Sequence, residues 1–214
     1  MTASDRAPHH RTYAGRSFDE RDADRRERLL SAALELFGSE GYGRVPVERL
    51  CSTAKVSTRH FYQRYQQKED VLLDLYATLA GSSYAAVVAA LEVQREAPVE
   101  ARLSAGLRAY LGPLFADPSA ARVAFVEAIG VSPRMEAQRV ELRNAIVEVL
   151  EREAALAVER GEVPARDYRF LALCLFGAIT VVVHDWSLHP DPASSAAGME
   201  DQLIDVARSL LLIL

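Results

Sequence analysis

From Asp24 onward, apolar residues recur at three- and four-residue spacing almost without break. Leu29, Leu30, Ala33, Leu36 and Phe37 form one stripe, which predicts an amphipathic helix. Gly38, Gly41 and Gly43 end it by relaxing the backbone limits that would carry it further. A short helix follows over residues 46–54, with Pro46 in its first turn, where a missing N–H has no helical partner to lose. Lys55, Val56 and Ser57 interrupt, and a third helix runs from Thr58 to Tyr65 with Ser57 as N-cap. Phe61 and Tyr65, four apart, point to one face; Thr58, Arg59, Tyr62 and Gln63 lie largely on another. A long helix restarts near Lys68, with Glu69 and Asp70 at its positive end.

Proline punctuation predicts the rest. Pro98, Asp117 with Pro118, and Ser132 with Pro133 each open a helix, the last ending at Gly161. Its stripe is Val140, Arg143, Val147, Leu150 and Ala154. Pro164 and Asp167 precede an apolar helix to His189, which has apolar residues on nearly every side and is therefore expected to be buried on nearly every side. Pro190 and Pro192 break the chain, and a final helix runs from Ala197 to Leu214 with Leu203, Val206, Ala207, Leu210 and Leu214 on one stripe. No alternating run marks a strand, so the fold class is all-α. Residues 1–20 lack periodicity and read as a mobile arm, in which Arg11 and Arg16 are available to a phosphate backbone. Residues 21–70 read as a small head and residues 71–214 as a larger helical domain.

Composition narrows the function. Half of the 214 residues are apolar, which excludes a disordered chain. The net charge of −5 excludes a globally basic nucleic-acid coat. It leaves room for a local one: residues 1–75 carry 13 basic and 12 acidic side chains, residues 76–214 carry 12 and 18, so a polyanion would meet the N-terminal third. The first ten residues hold no signal-peptide core, and the longest apolar run, Phe170 to Val183, is 14 residues, short of a span; the cytoplasm, with no membrane partner, is expected. Two cysteines and five histidines show no metal spacing, so no metal and no cofactor is expected. The glycine cluster follows a helix, not a strand, and lacks the Lys-Ser/Thr ending of a phosphate loop. Cys174, His184 and Asp185 share a helix on which ten residues span about 15 Å, too far for direct proton exchange. No catalytic residue is expected.

Two short helices joined by a tight turn and flanked by longer ones form a helix-turn-helix. The DNA major groove, about 12 Å wide, admits one helix whose inner face is apolar and whose outer face carries donors. Thr58 suits a thymine methyl or base edge, Arg59 a guanine or phosphate, and His60 and Gln63 backbone or base. Tyr62, Arg64 and Lys68 suit phosphates, which position a protein without reading sequence. Arg44, Lys55 and Ser57 flank this set.

Leu36-Phe37, Gly41-Tyr42, Leu50-Cys51, Ala54 to Ser57, Phe61 to Tyr65, and Lys68-Glu69 with Leu72 carry a resemblance to the DNA-binding head of the TetR family of transcriptional regulators. Lys55 stands where the family pattern has glycine, Val45 where it has a capping Thr or Ser, Arg64 where it has His, and Tyr65 where it has Phe. The resemblance implies a homodimer through the last two helices, a palindromic double-stranded operator and a small, largely apolar effector that releases a repressor; an activator would look the same. Tyr110, Phe115, Phe125, Arg143 and Cys174 are the candidate effector contacts. Arg143, interrupting an apolar stripe, suits an anionic effector or an internal carboxylate such as Glu127. Trp186 and His184 read as packing residues, and Glu148, Glu151 and Glu153 as a solvated face. The competing reading is an all-helical ligand carrier or enzyme with a vestigial head.

Overall fold

The computed structural model describes residues 18–188 and 196–212. Arg11, Arg16, the breaks at Pro190 and Pro192, and Leu214 lie outside the described residues. The order is α1 (Phe18–Ser39), a 3-10 turn (Tyr42–Arg44), α2 (Val47–Ala54), α3 (Thr58–Arg64), α4 (Lys68–Val93), α5 (Val99–Ala116), α6 (Pro118–Arg122), a π-helical turn (Val123–Glu127), α7 (Pro133–Glu159), α8 (Arg169–Leu188) and α9 (Ala196–Leu212). No strand occurs among the described residues, and the all-α expectation is met. The first helix begins at Phe18, so the last three positions assigned to the arm are helical. Pro46 is the N-cap of α2 rather than a residue of its first turn; its extended φ of −79° and ψ of 161° let its carbonyl accept from Arg49 and Leu50.

The head core is built from the predicted stripes. Leu29, Ala33, Leu36 and Phe37 of α1 meet Leu50 of α2, Phe61 of α3 and Leu72 of α4, all within 2% of full burial. Val123, Ala128 and Met135, from the larger domain, complete the same core. α1 and α6 close directly on each other at Gly38, where a Cβ would come within 2.4 Å of the Ser119 Cβ. Gly41 has a φ of 92°, in the left-handed region that favours glycine. Its neighbour Tyr42 donates its backbone N–H to Glu127 at 2.8 Å, and Glu127 also accepts from Arg122 at 3.0 Å. Further ties join α7 to α4: Arg134 to Asp70, Ser132 to Glu69, and the Gln138 amide to the Leu73 carbonyl at 3.0 Å.

The larger domain has two cores. Leu107, Leu111, Phe125, Leu175, Ile179, Val183, Leu203 and Ile204 form one; Val99, Ala154, Ala157, Val163 and Tyr168 form the other. Arg102, 1% exposed, sits at the second. It donates to Glu153 at 2.9 Å, Glu162 at 3.3 Å and the Ala97 carbonyl at 2.7 Å, while Glu162 also accepts from the Val99 N–H. Glu153 is therefore paired with a buried arginine, which corrects its reading as part of a solvated face; Glu151 meets Arg169 in an exposed pair, and Glu148 is exposed. On α7, Met135, Val147, Val149, Ala154 and Ala157 are buried and Val140 is exposed, so the buried face lies rotated from the predicted stripe.

Helix α8 departs most from expectation. Ala172, Leu175, Ile179 and Val183 are buried, but Phe170 (69% exposed), Val181 (68%) and Leu188 (45%) face outward, joined by Val206 (43%) of α9. One chain thus covers only one side of a helix that is apolar nearly all round. Helices α4 and α8 are both long and apolar enough to cross a membrane by length and composition. Core helices of folded domains meet the same criterion, and Val71, Leu72 and Leu75 of α4 are packed in the head.

Candidate nucleic-acid interface

The turn between α2 and α3 sets the geometry of the head. Lys55 adopts φ 54°, ψ 42°, the left-handed conformation that ends α2, and its N–H and that of Val56 bond back to Ser52 and Cys51 at 3.2 and 3.0 Å. Arg28 of α1 reaches the turn and donates to the carbonyls of Ala54 and Lys55 at 3.3 and 3.2 Å. Val56 is buried under it. A side chain in this conformation costs about 1 kcal/mol relative to glycine. Lys55→Gly is therefore expected to raise stability by about 0.5–1 kcal/mol in urea denaturation, less what glycine gives back as unfolded-chain entropy. A drop in stability would show that the lysine side chain makes a compensating contact.

Ser57 caps α3: its Oγ accepts from the His60 N–H at 3.3 Å and lies 2.9 Å from His60 Nδ1. Phe61 and Tyr65 turn inward at 0% and 5% exposure. Tyr65 donates its hydroxyl to Asp74 at 2.6 Å, and Arg26 holds the same carboxylate through two nitrogens at 2.9 and 2.5 Å. Burial and the Asp74 bond push the Tyr65 hydroxyl up to about 12. Burial raises the Asp74 carboxyl too, but bonds from Arg26 and Tyr65 outweigh it and leave the group below its ordinary value. The Tyr hydroxyl that replaces the family's Phe is thus a tether between α3 and α4, and it fixes the tilt of α3 against the head.

The opposite face of α3 is open. Thr58, Arg59, His60, Tyr62 and Gln63 are all exposed, as are Lys55 in the turn before α3 and Arg44 in the 3-10 turn before α2. Three other predicted residues are held by the head itself. Ser57 is engaged in the cap. Arg64 is ion-paired with Asp22 of α1. Lys68 is turned inward: its ammonium donates to the carbonyls of Tyr42 and Val45 at 2.7 and 2.9 Å and lies 4.2 Å from the Tyr42 ring centre. Burial lowers its pKa. Two of the three Lys68 donors are thus spent on backbone, which leaves one for the expected phosphate contact. Arg28 and Asp74, which shape the turn and the tilt, were missed by sequence reasoning; each sits on a long helix with no local motif to mark it.

The candidate effector residues divide similarly. A cavity of about 340 Å³ lies between α4, α5, α7 and α8, with Tyr110, Phe125 and Arg143 on its wall beside Tyr76, Arg139 and Phe176. A smaller one of about 90 Å³, almost wholly apolar, shares Tyr110, Ile146 and Phe176 with it. Burial raises the hydroxyl pKa of Tyr110. It does the same for Tyr76, with Arg139 pulling in the opposite direction. Two candidates fall outside. Phe115 packs edge-on against Trp186 with ring centres 5.1 Å apart, and Cys174 is exposed on the far side of α8. Both corrections follow from helix phase: each residue lies on a face turned away from the cavity. Glu127 is committed to Arg122 and Tyr42, so it is not the partner of Arg143.

A capped helix with a donor-rich outer face, held by a left-handed turn on a three-helix core and joined to a cavity-bearing helical domain, defines a helix-turn-helix DNA-binding protein of two parts. Residues 29–75 match the model of bacterial regulatory proteins of the tetR family, and residues 96–211 match a tetracyclin repressor-like C-terminal domain. The chain belongs to the TetR family of transcriptional regulators. The HTH-type transcriptional regulator TcmR of Streptomyces glaucescens is 37% identical over 89 residues, which span 41% of this chain and only 37% of that protein. Among solved structures, FadR of Bacillus subtilis in complex with stearoyl-CoA superposes with a TM-score of 0.77 at 18% identity, covering 88% of this chain and 98% of that one. FadR of Bacillus halodurans gives 0.77 at 22% identity over 89% and 96%. A tetR-family protein of Rhodococcus RHA1 gives 0.72 at 24% over 87% and 96%.

Proposed function

We propose that this regulator is a homodimeric repressor that binds a palindromic operator and is released by a small, largely apolar effector. The observation that carries the DNA part is the open face of α3, where Thr58, Arg59, His60, Tyr62 and Gln63 stand clear of the head while Phe61 and Tyr65 anchor it. Arg59, Gln63 and Thr58 read bases; Tyr62, Arg44 and Lys55 hold phosphates. The exposed apolar residues of α8 and α9 support pairing with a second copy, since two such helices and their symmetry mates form a four-helix seam. Two heads about 34 Å apart then meet successive major grooves.

Release runs through the π-helical turn. Val123 is packed in the head core, Phe125 lines the cavity, and Glu127 holds the Tyr42 N–H. A ligand that displaces Phe125 strains the grip on the head, and it favours release to the extent that it binds the free state more tightly than the operator-bound one. The test is selection of genomic fragments by the purified protein, followed by anisotropy titrations. A two-fold symmetric site is expected. Arg59→Ala is expected to weaken binding about 5- to 150-fold and relax preference at one base position, whereas Tyr62→Phe weakens all sequences alike. Failure to retain any fragment at low salt, where phosphate contacts are strongest, would overturn the DNA reading.

A further inference from the structure

We propose that the larger cavity is a site for an organic monoanion: one anionic group on an apolar body, seated at Arg143. This rests on the reading that the cavity takes the effector and adds its chemical class. The ionisable side chains on the wall, apart from neutral tyrosines, are Glu136, Arg139 and Arg143. Glu136 is paired with Arg139 at 2.7 Å and accepts from the Gly130 N–H at 2.8 Å, so this pair cancels. Arg143 has no carboxylate within ion-pair distance among the described residues; its one hydrogen bond goes to the side-chain oxygen of its neighbour Asn144 at 3.3 Å. Its Nε is buried without a partner. The cavity therefore carries one positive charge in excess, on a guanidinium whose donor fork is largely unspent.

That arrangement is unfavourable when the cavity is filled by something neutral and apolar. Arg143 is only partly buried, but its Nε is sealed from water, and a guanidinium donor without an acceptor loses its hydration for nothing. A carboxylate, sulfonate or enolate oxygen supplies acceptor and counter-charge at once, through two parallel N–H donations. The rest of the wall selects the body. Leu79, Leu114, Phe125 and Phe176 are apolar, and the Thr180 hydroxyl is already donated to the Phe176 carbonyl. A dianion would exceed the wall's single net positive charge, and a cation would face Arg143.

The test uses a matched pair of fluorescent probes on the full-length protein: 8-anilinonaphthalene-1-sulfonate and N-phenyl-1-naphthylamine, which share the aromatic body and differ in the sulfonate. Wild type is expected to bind the anionic probe with one site per chain and at least tenfold more tightly than the neutral one. Arg143→Met is expected to collapse that ratio by lowering affinity for the anion alone. Ile146→Trp, which intrudes on the cavity, is expected to weaken both. A wild-type ratio near unity, which needs no variant to read, overturns the anion assignment and leaves the cavity standing; so does a ratio that Arg143→Met preserves. Absence of stoichiometric binding by either probe, or binding indifferent to Ile146→Trp, overturns the cavity as the effector site, and this proposal with it.

Discussion

Phe61→Ala is expected to cost about 3–5 kcal/mol of folding stability, the range for truncating a fully buried aromatic ring. Phe61 is wholly buried, with the rings of Tyr62 and Tyr65 centred 5.2 and 5.7 Å away. It is the pin that fastens α3 to α1, α2 and α4. Removing it leaves a void that Val45, Leu50 and Leu72 cannot fill without moving backbone. Urea denaturation followed by circular dichroism measures the loss. Because Val123, Ala128 and Met135 belong to the same core, the transition should shift as one unit. A separate early phase would show that the head melts alone, and a loss below about 1 kcal/mol would show that α3 is held mainly by its cap and the Tyr65 tether.

Arg102→Ala is the second large effect, about 3 kcal/mol, at the lower end for breaking a buried ion pair because Glu153 and Glu162 keep some contact with water. The loss has two parts: the packing of a side chain that is 1% exposed, and the donors withdrawn from Glu153, Glu162 and the Ala97 carbonyl, of which Glu162 keeps the Val99 N–H. Arg102→Met restores most of the volume and separates them. It should remain destabilising, and adding Glu153→Leu should recover about 1 kcal/mol, since a part-buried carboxylate without a partner is then removed. Thermal melts of the three variants decide it. Equal stability of Arg102→Met and wild type would make Arg102 a space-filler.

These two residues also mark what the chain discloses on its own. Phe61 was placed by four-residue spacing with Tyr65, and the same spacing located the whole head, because a small core has few ways to hide its anchors. At Lys55 the only signal of a left-handed turn was the resemblance, whose pattern has glycine there. Arg102 was not legible, although the signal existed: it lies among Val99, Gly106 and Leu107 on the buried stripe of α5. Its partners Glu153 and Glu162 are some 50 and 60 positions away, and no local pattern joins them. The inward turn of Lys68 was hidden for a similar reason. Its helix start faces where phosphates would lie, yet the carbonyls of Tyr42 and Val45, freed by the 3-10 turn, claim it first. Phe115 and Cys174 are candidates by position along the chain, and only the rotation of each helix decides which side a residue faces.

The π-helical turn Val123–Glu127 closes with the Ala128 N–H bonded to the Val123 carbonyl at 3.1 Å, one residue beyond the α-helical partner. Within it Val123 serves the head core and Phe125 the core of the larger domain. Shortening the segment by a single position would restore ordinary winding, but one of the contacts made by Val123, Phe125 and Glu127 would lose its residue or its place. Side-chain exchanges can be absorbed here one at a time, whereas insertions and deletions cannot: in this stretch the length of the chain, more than its lettering, is what heredity must keep fixed.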